Sequence, residues 1–149
     1  MYRRILVPTD GSIVSARAER AAVRVAKRFN AKITAVHVMA PYSPLALGEI
    51  RGLGPRPMSA DEYKAAAEKR GKALLKRLVA RTRRAGLDAA TVLVTSDTPS
   101  EALVKAANDA RCDLIVMGSN SRVGITRIFI GSVASEVLSA TRIPTLICH

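Results

Sequence analysis

The sequence predicts an α/β protein in which helices cover both faces of an open parallel sheet. Short apolar runs alternate along the chain with longer segments of helical periodicity, which is typical of this class. The apolar runs contain few polar residues, as expected for strands that are buried on both faces. The length of 149 residues is enough for one buried core, so we assign residues 1–149 to one domain.

The first third of the chain predicts a strand, a helix and a second strand. The first strand covers residues 5–7 and ends at Pro8. After a turn, Ser12 is a good N-cap because its hydroxyl can accept a hydrogen bond from an amide of the next helix. Asn30 is predicted to end that helix, and residues 33–38 form the second strand. The helix has apolar positions every three or four residues, at Val14, Ala18, Ala21, Val25 and Phe29.

The middle of the chain predicts a long loop, a helix and a third strand. Residues 40–58 are rich in Pro and Gly and have no period, which indicates a loop. Ser59 and Glu62 form a capping box that begins the second helix, and Gly86 is predicted to end it. The third strand covers residues 91–94. The inner positions of the second helix are Tyr63, Ala67, Gly71, Leu74 and Leu78.

A second capping box is predicted at Thr98 and Glu101, with Pro99 at the first helical position. The helix that it begins is expected to end shortly before residues 114–117, an apolar run that forms the fourth strand. The inward-facing positions of this helix are Leu103, Ala106, Ala107 and Ala110.

The last predicted helix begins at residues 131–132, and the final strand covers residues 143–148. Strands and helices therefore alternate through the chain, and right-handed crossovers between them give an open, doubly wound sheet. With the first strand in the centre, we expect a five-stranded Rossmann-like sheet of strand order 3-2-1-4-5. Ligands of such sheets bind at the carboxyl ends of the strands, where the strand order reverses.

The net charge of +12 is concentrated in two of the predicted helices. Residues 12–32 carry six basic side chains and one acidic side chain, and residues 59–86 carry nine basic and three acidic ones. We expect this charge to coat the outer helix faces, where it keeps the protein soluble; the alternative is a surface that attracts polyanions. Aromatic residues make up only 3% of the chain, which argues against readers of single-stranded nucleic acid. Specific nucleic-acid binding is not expected.

Several other classes of protein are disfavoured by missing patterns. No apolar run reaches the roughly 18–20 residues of a membrane span, and the first residues are unlike a signal peptide, so we expect a cytoplasmic protein with no membrane partner. Cys112 and Cys148 lack metal-site spacing and are interpreted as small hydrophobic residues. The phosphate-loop, dinucleotide, zinc-protease and nucleophile-elbow motifs are absent. His37 is interpreted as structural, and we predict no catalytic residue and no metal site.

Small polar residues follow the first and fourth strands, in residues 8–12 and 118–121. Glycines there allow backbone amides to approach a ligand closely, and a helix N-terminus at residues 131–132 favours phosphate. Arg122 can pair with phosphate oxygens. Asp10 can hold a ribose hydroxyl, an adenine amine or a metal-bound water, or it can serve only as a turn carboxylate.

With these segments in view, the chain resembles the universal stress protein family, and the resemblance covers essentially all 149 residues. Residues 5–12 resemble the family's first-strand signature, and residues 35–38 resemble its second strand. Residues 113–119 resemble the run that enters its phosphate loop. The matches are specific when they are taken together.

The family's ATP-binding pattern is glycine, two residues, glycine, nine residues, and glycine followed by Ser or Thr. Gly118 matches the first glycine, and Gly131 with Ser132 matches the last pair. Ser121 stands at the second glycine, and Asn120 stands where a His is common. A serine at Ser121 can fit a small-residue position and offer a hydroxyl, but it costs about 1 kcal/mol if a positive φ is required.

The resemblance implies roles for individual residues. Asp10 and the backbone of Val38 would contact adenine, and Pro8 and Thr9 would line that end of the site. The residues that would surround ribose and phosphates are Gly118, Ser119, Ser121, Gly131, Ser132 and Val133.

The resemblance implies an ATP-binding stress-response or regulatory protein that takes ATP, with or without Mg²⁺, and has little or no turnover. It also implies a homodimer through the C-terminal strand, which agrees with the expectation that an apolar edge strand pairs. The alternative is a monomer whose edge is blunted by His149. Two further alternatives are a slow ATPase and a family member that binds a partner or a polyanion and leaves the cleft empty.

Overall fold

A computed structural model of the chain describes residues 1–43, 58–119 and 130–149. Five parallel strands form one sheet in the order β3-β2-β1-β4-β5, which confirms the predicted fold class and strand order. The described elements are β1 (Arg4–Pro8), α1 (Ile13–Phe29), β2 (Lys32–Met39), α2 (Ala60–Arg84), β3 (Ala89–Thr95), α3 (Pro99–Asp109), β4 (Leu114–Gly118), α4 (Ser132–Ala140) and β5 (Thr145–Cys148).

The helices cover the two faces of the sheet in pairs. On one face, Ile5 and Val7 of β1 pack in a core with small residues of α1 and with Leu78 of α2. On the other face, Leu6 packs with residues of α3 and α4, including Val137. Successive residues of β1 therefore point into opposite cores. This explains why the strand is apolar without alternation.

The buried stripe of α1 differs from the predicted one. Its buried residues are Ser15, Ala18, Glu19, Ala22 and Ala26, whereas the larger side chains at Val14, Ala21 and Val25 are half-buried and Phe29 is 37% exposed. Ala18 is buried as predicted, and Ala21 and Val25 pack at the margin of the core, but the centre of the buried stripe lies about one position further along the chain. Small side chains at its centre allow the helix to approach the sheet closely. One consequence is that Glu19, counted above among the surface charges, is only 4% exposed.

The helix ends confirm most of the predicted caps. The Ser15 amide donates to the Ser12 hydroxyl, and the capping box of Ser59 and Glu62 is complete. Asn30 ends α1 with a φ of 52°, in the left-handed region that Asn tolerates. The second predicted capping box does not form: the hydroxyl of Thr98 donates to the carboxylate of Asp97 instead of accepting from an amide of α3.

Two segments, residues 44–57 and 120–129, lie outside the described residues, so most of the predicted loop at 40–58 is not described. The chain on either side of the first segment is held together: the rings of Tyr42 and Tyr63 are in edge contact, and the Tyr63 hydroxyl donates to the carbonyl of Ala40. Within the described ranges, no helix has the length and apolar character that a membrane crossing requires.

Candidate functional site

A cavity of about 730 Å³ opens at the carboxyl ends of β1 and β4. The chain leaves β1 toward β2 on one side, and β4 lies on the other side, so this is the point where the strand order reverses. The structure brings nine of the sequence-predicted site residues to this cavity: Pro8, Thr9, Asp10, Val38, Gly118, Ser119, Gly131, Ser132 and Val133. The two others, Ser121 and Arg122, lie outside the described residues.

The carboxylate of Asp10 stabilises the turn after β1 and is also exposed. One carboxylate oxygen accepts from the Ser12 amide at 2.8 Å, which is the turn role. The side chain is nevertheless exposed at the cavity wall, where it can accept a further hydrogen bond. Gly11 has a φ of +82° and allows the chain to turn sharply into α1.

A buried hydrogen-bond chain lies beneath this turn. The Asp10 amide donates to the Ser15 hydroxyl at 3.2 Å, which donates to the Thr9 hydroxyl at 3.1 Å. The Thr9 hydroxyl donates to Glu19 at 2.6 Å, and the other oxygen of Glu19 pairs with Arg81 of α2. The hydroxyl, the amide and the carbonyl of Thr9 thus all have hydrogen-bond partners within the protein. Sequence reasoning missed Glu19 because its partner Arg81 lies on another helix. It missed Ser15 because the partners of Ser15, Thr9 and Asp10, lie in the turn before the helix.

Backbone groups of Val38 and Gly118 face the cleft because the strands beside them have ended. The Thr9 amide donates to the Val36 carbonyl, so Val36 points its backbone toward β1, and by the two-residue period Val38 does so too. Residues Pro8 and Val36 are the last pair of that ladder. The Ser119 amide donates to β5, so the backbone of Gly118 points the opposite way, toward the cleft.

The α1 helix approaches Gly118 closely. A Cβ atom on Gly118 would lie 2.9 Å from the carbonyl carbon, the carbonyl oxygen and the Cγ1 of Val14. Only glycine therefore fits at this point of β4, because the backbone of α1 leaves no room for a Cβ atom. The close approach brings the N-terminal turn of α1 to the cavity wall.

The N-terminus of α4 supplies further amides. Gly131 occupies the N-cap position and has no side chain to cap the helix, and the first helical hydrogen bond runs from Ser135 to the Gly131 carbonyl. The first-turn residues Ser132 and Val133 line the cavity. Ser119 holds this helix in place, because its hydroxyl accepts from the Gly131 amide at 2.7 Å. An uncapped helix N-terminus that faces a cavity is a favourable place for an anion.

His37 lies at the edge of the cavity and makes a structural contact. Its Nδ1 is 2.7 Å from the carbonyl oxygen of Thr9. A carbonyl only accepts, so Nδ1 carries the proton and donates it. The ring also packs beside Gly71 of α2, where a Cβ would come within 2.8 Å of His37 Cδ2. This geometry agrees with the structural interpretation of His37.

The sequence did not indicate the apolar wall of the cavity. This wall combines strand residues that point toward α3 and α4 with residues of α3 itself: Val36, Met117, Pro99 and Leu103. Alternation along β2 and β4 would have placed Val36 and Met117 on this face, but no pattern in the sequence indicates that the wall is open to a cavity. An apolar wall opposite polar backbone groups suits a ligand with a flat ring and a charged tail.

The two cysteine thiols have raised pKa values, and no metal-type cluster of side chains occurs in the described parts of the chain. Burial raises the pKa of the Cys112 thiol above its ordinary value, and burial likewise raises that of Cys148. Both thiols stay protonated at neutral pH, which makes them poor nucleophiles and poor metal ligands. No three His, Cys, Asp or Glu side chains meet in a metal-binding cluster within the described ranges.

The fold and the cleft define the class: a doubly wound α/β protein with a cleft at the switch point of the sheet. The profile of the universal stress protein family matches residues 1–149, and the chain belongs to this family. It is similar to a universal stress protein of Methanocaldococcus jannaschii, with 32% identity over 147 residues, which are 99% of this chain and 82% of that protein.

Solved structures of the family have the same fold. A universal stress protein in complex with cAMP is 30% identical, with a TM-score of 0.69, and the match covers 99% of this chain and 97% of that one. A universal stress protein from Lactobacillus plantarum matches with a TM-score of 0.78 over 99% of this chain and 98% of that chain. Its sequence identity is 23%, so this match supports the fold alone.

Proposed function

We propose that this protein binds an adenine nucleotide, ATP in the first place, in the cleft between β1 and β4. The observation that carries the proposal is the convergence on one cavity of the cleft-facing backbone of Val38 and Gly118, the uncapped N-terminus of α4 and the exposed carboxylate of Asp10. The cAMP complex of a 30% identical relative supports an adenine ligand.

The parts of the site suit different parts of a nucleotide. Adenine presents both donors and acceptors on its edge, and the N–H and C=O of Val38 can meet both. Asp10 can accept from the amine or from a ribose hydroxyl. The amides of α4 suit the phosphates, because a helix N-terminus carries roughly half a positive charge. The cavity contains no Lys or Arg among its described residues, so backbone amides and the Ser132 hydroxyl are the donors that these residues offer to phosphates.

The same residues favour regulation over turnover. The ionisable side chains among the described cavity residues are Asp10 and His37. Asp10 accepts from the Ser12 amide and His37 donates to the Thr9 carbonyl, so each already has a structural partner. We therefore propose a stress-response protein of the cytoplasm that acts as a nucleotide-dependent switch, with phosphate release far below the roughly 1 s⁻¹ at the low end of ordinary enzymes.

Titration of the purified chain with ATP, AMP and cAMP in a calorimeter tests the proposal. We expect saturation at one nucleotide per chain. Asp10→Asn should lower the affinity for adenine nucleotides about tenfold, because a hydrogen bond to a charged group stabilises a complex by about 1.5 kcal/mol more than one between neutral groups. The matched control Asp97→Asn changes another turn carboxylate, which bonds Thr98 outside the cavity, and should leave affinity unchanged.

Two outcomes would reject the proposal. If millimolar adenine nucleotides produce no heat of binding, the proposal that the cleft binds a nucleotide is rejected. If ATP binds and each chain releases many phosphates per minute, the protein is an ATPase and the proposal of a switch is rejected.

We also propose that two copies pair through β5, the edge strand next to β4. The carbonyls of Pro144 and Cys148 accept hydrogen bonds from Ile115 of β4 and from Ser119 just after it, so by alternation the backbone groups of Thr145 and Ile147 point to the open edge. Leu146 is 40% exposed at this edge. An apolar edge with unpaired backbone groups favours pairing with a second strand.

Substitution of one outward-facing residue tests this pairing. Ile147→Pro removes an N–H from the open edge without removing a ladder bond to β4, so we expect a monomer in sedimentation equilibrium. Ile147→Ala loses the same apolar side chain but keeps the N–H, and it should stay dimeric. A wild-type chain that sediments as a monomer, or an Ile147→Pro chain that stays dimeric, would contradict pairing through β5.

A further inference from the structure

We infer that the outer surface of α1 and α2, here called the basic face, binds the phosphate backbone of double-stranded nucleic acid without regard to sequence. This surface is separate from the cleft and does not depend on nucleotide binding there. Its charge was noted above from the sequence, and the structure shows how that charge is arranged.

The charge of the helices is divided between the two faces of the sheet. α1 and α2, which cover one face, carry fourteen basic and four acidic side chains, a net +10. α3 and α4, which cover the other, carry one basic and three acidic side chains, a net −2. A protein that used charge only for solubility would have no need to place it on one side.

Ion pairing leaves the net charge of this face unchanged, because each pair removes one acidic and one basic group. Glu19 pairs with Arg81, and Glu68 pairs with Lys72, so twelve basic groups remain against two acidic ones. Apart from the half-buried Arg81, all the basic side chains of the two helices are exposed. The field of the face is therefore strongly positive.

The dimensions of the face match a short length of duplex. α1 has 17 residues and α2 has 25, which are about 25 Å and about 37 Å at 1.5 Å per residue. At about 3.4 Å per base pair these lengths correspond to roughly 7 to 11 base pairs. Each helix is therefore long enough to cross the phosphate backbones of both strands within about one turn of duplex.

Two other polyanions fit less well. Single strands bind on aromatic platforms, but α1 and α2 together carry two aromatic rings, and each is in edge contact with another ring: Phe29 with Tyr2, and Tyr63 with Tyr42. A membrane-bound amphipathic helix buries its apolar side in lipid, but the apolar sides of α1 and α2 are already buried against the sheet, as Leu78 shows. Duplex phosphates need only the charge.

Fluorescence anisotropy with a labelled 20-base-pair DNA of mixed sequence tests the inference. We expect binding at 50 mM salt and a linear fall of log K with log salt. The triple variant Arg24→Gln, Lys76→Gln and Arg83→Gln should weaken binding at least tenfold and reduce the salt slope by about 2 to 3, because each phosphate contact contributes about 0.9. Circular dichroism confirms that each variant is folded.

The matched control neutralises three exposed basic residues outside the two helices: Lys105→Gln, Arg111→Gln and Arg142→Gln. Its net charge equals that of the first variant. An equal loss of affinity for the duplex in both variants would therefore show a general effect of charge and overturn the inference. It is also overturned if the wild type does not bind duplex at 50 mM salt, if a single-stranded 20-mer binds more tightly than the duplex, or if phosphatidylserine vesicles bind and the duplex does not.

Discussion

Gly118→Ala is expected to abolish nucleotide binding and to lower the free energy of unfolding by about 1–3 kcal/mol. The added Cβ would lie 2.9 Å from the carbonyl carbon and oxygen of Val14, which are backbone atoms and cannot rotate away as a side-chain tip can. The N-terminal turn of α1 must therefore move away from β4. This movement displaces one wall of the cleft, and calorimetric titration with ATP together with urea unfolding measures both effects.

Gly86→Ala is the matched control for this variant. Gly86 has a φ of +75° but open space around its Cα, so alanine there costs stability through backbone strain alone, about 1 kcal/mol. Because Gly86 precedes β3, it lies at the opposite end of the sheet from the cleft, and we expect unchanged nucleotide affinity. Wild-type affinity in Gly118→Ala, with a normal free energy of unfolding, would show that the close approach of α1 does not shape the site.

Glu19→Ala is expected to lower the free energy of unfolding by about 2–3 kcal/mol, measured by urea denaturation. The substitution removes the acceptor of the Thr9 hydroxyl and the partner of Arg81, and Glu19 itself is 4% exposed. The Arg81 side chain is 38% exposed, so the charge left behind is partly solvated, and the loss stays below that of a fully buried pair.

An exposed ion pair provides the comparison for Glu19. Glu68→Gln breaks the pair with Lys72 on the surface of α2 and should change the free energy of unfolding by less than about 0.5 kcal/mol. Equal losses in the free energy of unfolding would mean that the buried pair of Glu19 contributes no more to stability than the surface pair of Glu68. The buried chain through Thr9 and Ser15 would then contribute nothing to stability.

Most of the fold was predictable because its signals are local. Ser12 as an N-cap, the capping box of Ser59 and Glu62 and the left-handed Asn30 each depend on a few neighbouring residues. The capping box expected at Thr98 shows the limit: the residue types were right, but the Thr98 hydroxyl has a nearer partner in Asp97. The cleft position followed from topology, since the carboxyl ends of parallel strands share one edge of the sheet.

By itself, the sequence determined the order of the elements, the class of sheet, the two basic helices and the polar turns after β1 and β4. Each of these depends on residues close together in the chain. The tertiary structure alone decided that Glu19 is buried beneath the cleft, that Val14 leaves room only for glycine at Gly118, and that the basic side chains of the described helices lie mostly on one face of the sheet. These features depend on distances between elements, which are set by how closely small side chains let the helices pack on the sheet.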